Sequence, residues 1–249
     1  QAELRKQVLA HDHVLELSAP FSAQPTELAK TQHRFQGISW GEKGGIALLR
    51  DFDRNRRWSR TFLINMDRPG ELGSPIWDRS IQDRYNDPGL PLMKQLPGGL
   101  QVMIQSGDNI LLRGTGASPG GDRPFLDRFN LTTLKSERLF RSDDKSYESV
   151  AAVLADDGSS FVTRYESSTE PPNYFVRSAG NAARQALTSF ADPRPQLRAI
   201  KKQLVTYKRA DGVQLSFTLY LPPNYKEGQR LPTVVWAYPI EFTDAGTAS

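Results

Sequence analysis

Phe35-Gln-Gly-Ile-Ser-Trp-Gly-Glu-Lys-Gly-Gly-Ile-Ala-Leu-Leu-Arg50 is a β-rich run, a Gly-rich turn and a second β-rich run. The same design returns in Leu100-Gln-Val-Met-Ile-Gln-Ser-Gly-Asp-Asn-Ile-Leu-Leu-Arg113 and in Val150-Ala-Ala-Val-Leu-Ala-Asp-Asp-Gly-Ser-Ser-Phe-Val-Thr-Arg164. Glycine supplies the positive φ of a tight hairpin turn, and Asp or Asn tolerates it. A third, aromatic-bearing strand candidate follows each hairpin: Arg57–Asn65, Leu126–Leu131 and Asn173–Arg177. A fourth run closes at least two units, Glu137–Phe140 and Gln185–Phe190. Four strands in roughly 40–50 residues, repeated, is how propeller blades look in sequence. The hairpins are unevenly spaced, and Pro69 to Pro97, rich in Pro, Gly and Asp, reads as a long inserted loop. Asp12–Leu28 reads as the outer strands of a preceding blade. Helical periodicity is scarce, so the expected class is mainly β.

The character of the chain changes at Ala191-Asp-Pro-Arg-Pro195. Beyond it come Gln203–Lys208, a turn at Ala210-Asp-Gly212 and Val213–Leu221, ended by Pro222-Pro223, which cannot donate to a ladder. Leu231-Pro-Thr-Val-Val-Trp-Ala-Tyr238 is apolar at successive positions, as a strand buried inside an α/β sheet would be. The expected domains are therefore 1–194, a partial β-propeller of about three blades plus part of another, and 195–249, a different domain that has only begun. The start without Met and the stop soon after an apolar run suggest an internal piece of a longer polypeptide.

Composition narrows the chemistry. The 249 residues contain no cysteine, which excludes disulfides, Cys-ligated metal and a thiol nucleophile. No run approaches the ~18 apolar residues of a membrane span. The formal charge of +4 comes from a scattered excess rather than a basic patch with stacking aromatics, which argues against nucleic acid as a partner.

Five sequence features invite a functional reading. Gly37-Ile-Ser-Trp-Gly41 matches the nucleophile elbow, but the elbow needs a strand before it and a helix after it; here a hairpin turn follows, so Ser39 is expected mid-strand. His11-Asp-His13 offers metal-ligand chemistry, yet His33 is the only other histidine, and a solvated stretch near a terminus is the expectation; no metal or cofactor is expected. Gly114-Thr-Gly-Ala-Ser-Pro-Gly-Gly121 lacks the Lys-Ser/Thr of a phosphate loop. Trp77, Tyr85 and Tyr174 could meet a ligand but are expected to pack against a neighbouring blade. Tyr238, at the end of the last apolar run, could donate a hydrogen bond to an oxyanion or merely cap a strand.

Val205-Thr-Tyr-Lys-Arg-Ala-Asp-Gly-Val-Gln-Leu-Ser-Phe-Thr-Leu-Tyr-Leu-Pro-Pro-Asn-Tyr225, with Leu231–Pro239, resembles the opening of the peptidase domain in the prolyl oligopeptidase family. Ala19-Pro-Phe21 and Arg34–Gly41 are most similar to its glutamyl endopeptidase branch. The resemblance implies a serine peptidase of oligopeptides in which a propeller gates an α/β-hydrolase domain, with Ser, Asp and His all later than Ser249. It implies an oxyanion-hole role for Tyr238, and a periplasmic or secreted setting. One departure stands out: relatives tend to carry a basic residue where Ile240 stands. On this reading the fragment is inactive and prone to self-association through exposed blade edges. The alternative is a stand-alone propeller binding module without catalysis.

Overall fold

The computed structural model describes residues 9–43, 45–70 and 72–237. Among them there is no α-helix, and the strands form antiparallel sheets of two to five strands. Three of those sheets are successive meanders, each strand pairing with the next in sequence. The first comprises β3 (Arg34–Trp40), β4 (Ile46–Asp53), β5 (Trp58–Asn65) and β6 (Trp77–Ser80). The second runs through β10 (Gln105–Ser106), β11 (Asn109–Gly114), β12 (Phe125–Asn130) and β13 (Ser136–Arg141). The third is β14 (Ser146–Val153), β15 (Ser160–Ser167), β16 (Asn173–Ser178) and β17 (Arg184–Ala186). Ahead of them, β1 (Asp12–Glu16) pairs with β2 (Thr26–Thr31), where the sequence suggested the outer strands of an earlier blade.

The meanders stack face to face, and the second strand of each shows why. Strand periodicity sends alternate side chains to opposite faces. Leu48 of β4 packs with Ile110, Leu112 and Phe129 of the second meander, whereas its neighbours Ala47 and Leu49 pack with Ala29 of β2, Phe62 and Ile64. In β11, Ile110 and Leu112 face the first meander, and Leu111 joins Leu126, Val150 and Phe161 towards the third. A strand covered on both faces must be apolar at consecutive positions, as Ala47-Leu48-Leu49 and Ile110-Leu111-Leu112 are. Each buried Leu contributes about 2 kcal/mol of hydrophobic stabilisation, so the three interfaces rather than the turns hold the stack together. Four-stranded meanders packed in this way are blades, and the fold is that of a partial β-propeller.

One buried carboxylate–arginine pair fastens each meander internally. Asp51 is fully buried and faces Arg60 across β4–β5, with Oδ2 2.5 Å from Nη2 and Oδ1 3.0 Å from Nε. Asp127 is held by Arg138 across β12–β13. Glu148 reaches over β15 to Arg177 on β16 at 2.9 and 2.5 Å, and accepts a further hydrogen bond from Thr163 at 2.5 Å. Charge-assisted, bidentate pairs of this kind supply the partners that a buried carboxylate requires.

Two expectations need correcting. The stretch Pro69–Pro97 is not an inserted loop: it holds β6, β7 (Leu90–Pro91) and β8 (Met93–Gln95). β6 completes the first blade, and β7 pairs with β11 as the start of the second blade's first strand. That strand is interrupted by a hairpin of β8 with β9 (Gln101–Met103), after which the chain rejoins through the 2.8 Å bond from Ile104 N–H to Leu92 C=O. Strands of two to four residues between prolines and glycines carry too little periodicity to be seen in sequence. The second correction concerns 231–237, which form no strand; Val234, Val235 and Trp236 are 92, 85 and 88 % exposed. An apolar run becomes a strand only beside a partner, and no described strand pairs with it. The hairpin before it does form, as β18 (Lys201–Lys208) and β19 (Gln214–Leu221) around Gly212 at φ +88°.

Candidate functional site

The sequence-derived candidates do not converge. Tyr238 and Ile240 lie outside the described residues. Ser39 is the penultimate residue of β3, paired with Leu48, and the turn after the strand leads directly into β4. It therefore lacks the strand-to-helix turn that exposes a nucleophile. His13 lies in β1 rather than in a loop, with Nδ1 2.6 Å from Glu27 Oε2. Hydrogen bonds from His13 first, and Lys30 next, hold the Glu27 carboxyl below its usual range. His11 donates its backbone N–H to Thr31, and no group of three His, Cys, Asp or Glu residues gathers among the described residues. Trp77 packs on Phe129 of the next blade with ring centroids 5.1 Å apart, whereas Tyr85 is 53 % exposed. The Gly114–Gly121 stretch links β11 to β12 and is closed by Arg123 N–H bonding to Gly116 C=O.

A site does form between the second and third blades. A cavity of about 370 Å³ opens there. Its floor and walls come from three places in the chain: the connection before β7 (Asp87, Gly89, Leu90), the end of β11 with the start of β12, and β14 (Tyr147, Ser149, Val150). Arg113, the last charged residue of β11, is its cation. On the alternation that turns Leu111 towards the third blade, Arg113 turns the same way, and its Nη1 donates to Val150 C=O at 3.2 Å. No carboxylate pairs with Arg113 among the described residues. The carboxylate that does line the cavity, Asp87, is already held by Arg79 at 2.7 Å and by the Gly89 N–H at 3.0 Å. The hydroxyls of Thr115, Tyr147 and Ser149 meet no partner among the described residues, while Leu90, Pro124 and Phe125 make the wall apolar.

Glycine keeps the cavity's wall tight. A Cβ on Gly114 would stand 2.5 Å from the Phe125 ring, and one on Gly89 would stand 2.5 Å from the Arg113 carbonyl oxygen. The arrangement places the exposed Arg113 guanidinium, without a carboxylate partner among the described residues, and neutral hydroxyls around an open recess with partly apolar walls. That is a donor set for an anion.

Arg113 was missed in sequence although its signal was present. Each of the three quoted hairpins ends on arginine: Leu-Leu-Arg50, Leu-Leu-Arg113 and Val-Thr-Arg164. The structure sets all three at the fifth position of the second strand of a blade. Arg164 pairs with Glu166 at 2.8 Å. Arg50, on the Leu48 side of β4, has its Nε buried without a partner among the described residues.

The stacked meanders define a propeller-type β domain, and comparison with known proteins supplies the lineage. No family model matches the chain. The chain is 37 % identical over 241 residues to a probable chloroplastic glutamyl endopeptidase of Oryza sativa subsp. japonica, covering 90 % of this chain and 26 % of that protein. It is 35 % identical over 243 residues to the Arabidopsis thaliana counterpart, covering 90 % and 25 %. Among solved structures, oligopeptidase B of Trypanosoma brucei matches 84 % of this chain and 35 % of its own at 12 % identity with a TM-score of 0.46. TolB of Acinetobacter baumannii matches 85 % and 49 % at 13 % identity with a TM-score of 0.34. Along 90 % of its length the chain is thus similar to proteins described as probable glutamyl endopeptidases, and it spans about a quarter of the length of these curated relatives.

Proposed function

We propose that this chain is the blade-bearing part of a serine peptidase that cleaves oligopeptides, and that its blades restrict which peptides reach the bond-breaking groups. Residues 195–249 then open the α/β-hydrolase domain, the β18–β19 hairpin being its first element and Tyr238 an oxyanion donor. The reading is carried by one observation, the 37 and 35 % identity to probable glutamyl endopeptidases along 90 % of the chain. It is supported by the setting of the two G-x-S-x-G matches: Ser39 lies in a paired strand, and Ser118 lies in the β11–β12 loop with a strand, not a helix, after it.

On this reading the 249-residue chain is not itself a hydrolase, because no serine among the described residues follows a strand and opens a helix. A fluorophosphonate probe tests both halves of the claim. The chain alone should stay unlabelled, and the longer protein from which it comes should be labelled stoichiometrically at a serine beyond Ser249. Labelling of Ser39 would contradict the proposal, as would a longer protein that takes no label and cleaves no peptide.

A further inference from the structure

We infer that Lys94 is a charge clasp that locks the first and third blades together across the second, and that screening or removing its charge lets that end of the stack open. The clasp belongs to the blades and stands whether or not the longer protein is a peptidase.

The root of the β8–β9 hairpin places the clasp. It packs both ways: Met103 joins Leu48 of the first blade, whereas Leu92 and Ile104 join Val150 and Phe161 of the third. Val102, opposite Lys94 in the β8–β9 ladder, is 2 % exposed, so the strand that carries the lysine lies against a buried partner. From there Nζ meets Glu42 Oε2, in the β3–β4 turn, at 2.7 Å and Asp156 Oδ2, in the β14–β15 turn, at 2.6 Å. Two carboxylate oxygens that touch one ammonium lie no farther apart than those two contacts together. Turns from blades that do not follow one another are thereby brought side by side. Among the described residues no other ion pair links the first blade to the third. Gln105, just past the hairpin, adds a contact to the same turn of the first blade, its Oε1 accepting the Lys43 N–H at 3.3 Å.

The sign of this contact rests on Lys94 alone. Its charge attracts both carboxylates; without it, Glu42 and Asp156 are like charges at close range and push their turns apart. The contact is also open to salt, since the side chains of Lys94, Glu42 and Asp156 are 26, 23 and 52 % exposed. It closes the end of the stack away from the chain's onward path. The β14–β15 turn lies at the start of β15, whereas the segment after β17 is fastened at the end of β15, where Arg198 Nη1 bonds to Ser167 C=O at 2.9 Å. Parting the blades at the clasp therefore leaves that fastening in place.

Amide hydrogen exchange of the full 249-residue chain reads the clasp at three N–H groups. Gly41, Leu96 and Leu154 donate to the carbonyls of Ile46, Leu100 and Ser160 at 2.7, 2.8 and 2.9 Å, one in each of the three parts that Lys94 joins. Lys94→Met keeps the stem and removes the charge. It should lower the protection of Gly41 and Leu154, as well as Leu96, about tenfold, the scale of one lost hydrogen bond to a charged group. Arg209 N–H, bonded to Val213 C=O in the β18–β19 hairpin, should keep its protection. Adding Glu42→Gln and Asp156→Asn to Lys94→Met should restore part of the loss, because the repulsion is gone although the attraction has not returned. Salt gives a second readout with opposite signs. Raising sodium chloride from about 0.01 to about 1 M shortens the screening length from about 30 to about 3 Å. Protection of Gly41 and Leu154 should fall in the wild-type chain, rise in Lys94→Met and stay level in the triple variant. If Lys94→Met does not fold, the wild-type chain against Glu42→Gln with Asp156→Asn carries the test, since only the wild type should respond to salt. Loss of protection confined to Leu96 would overturn the inference, as would a triple variant no better protected than Lys94→Met. A wild-type chain whose turns ignore salt would do the same.

Discussion

Glu148 shows how much a single side chain can hold in this fold. Its carboxylate is 3 % exposed and accepts hydrogen bonds from Arg177 and Thr163, so it ties β14, β15 and β16 together. Removing one partner of a buried pair strands the other, at a typical cost of about 3–5 kcal/mol. Glu148→Ala should therefore lower the unfolding free energy by about that amount in urea titrations. Glu137→Ala, which breaks the pair of a 63 % exposed carboxylate with Arg128, should cost under about 1 kcal/mol. His33 brings a pH dependence. Burial first, and the Arg60 charge next, push its pKa below the ordinary 6.5. The unfolded chain then binds the proton more readily than the native one, so native stability falls as pH drops below about 6.5, until the depressed native pKa is passed. His33→Gln should flatten that part of a stability–pH curve; an unchanged curve would show that other groups govern it.

At the level of elements, the blade interfaces dominate. Leu112 is fully buried between the first and second blades, and Leu112→Ala should cost about 3 kcal/mol through lost contacts and a cavity. Gly114→Ala should be destabilising for the opposite reason, since its Cβ would meet the Phe125 ring at 2.5 Å and both would have to shift. Thermal or urea unfolding of the two variants checks both claims. These elements were legible in sequence to unequal degrees. The long hairpins were readable because strand-length runs rich in apolar residues flank a glycine turn over a dozen residues or more, as in Phe35–Arg50. β6 to β9 were not, because Trp77–Ser80 and Leu90–Pro91 are shorter than any period that could betray them. The failure at 231–237 has another cause: its apolarity is real, but strand formation depends on a pairing partner that the run cannot encode. The site divides in the same way. Recurrent arginines at the hairpin ends were visible in the sequence, whereas the lack of a counter-charge on Arg113 is a property of the packed blades.

For the molecule as a whole, what stays uncovered matters most. Leu204, Phe217 and Tyr220 of the β18–β19 hairpin are 67, 48 and 61 % exposed, and Val234 to Trp236 extend the apolar surface. Surface of this kind, next to open sheet edges, favours association. Sedimentation velocity across a hundredfold range of concentration should show self-association of the 249-residue chain, and Phe217→Lys with Trp236→Lys should weaken it. A concentration-independent monomer would contradict the expectation. Between the blades the contacts are more than hydrophobic. Lys94, on the β8–β9 hairpin, bonds to Asp156 in the third blade at 2.6 Å and to Glu42 in the first at 2.7 Å; those two contacts, in that order, raise its pKa above the ordinary lysine value.

The excursion that carries Lys94 leaves and returns at nearly one point, where Ile104 N–H meets Leu92 C=O at 2.8 Å. Because the ladder closes behind it, its length is decoupled from the register of everything downstream. Its exposed tip, residues 97–100, is thus a natural graft point, at which a tag, a sensor or a foreign loop could be spliced while Lys94, Val102 and Met103 keep their contacts.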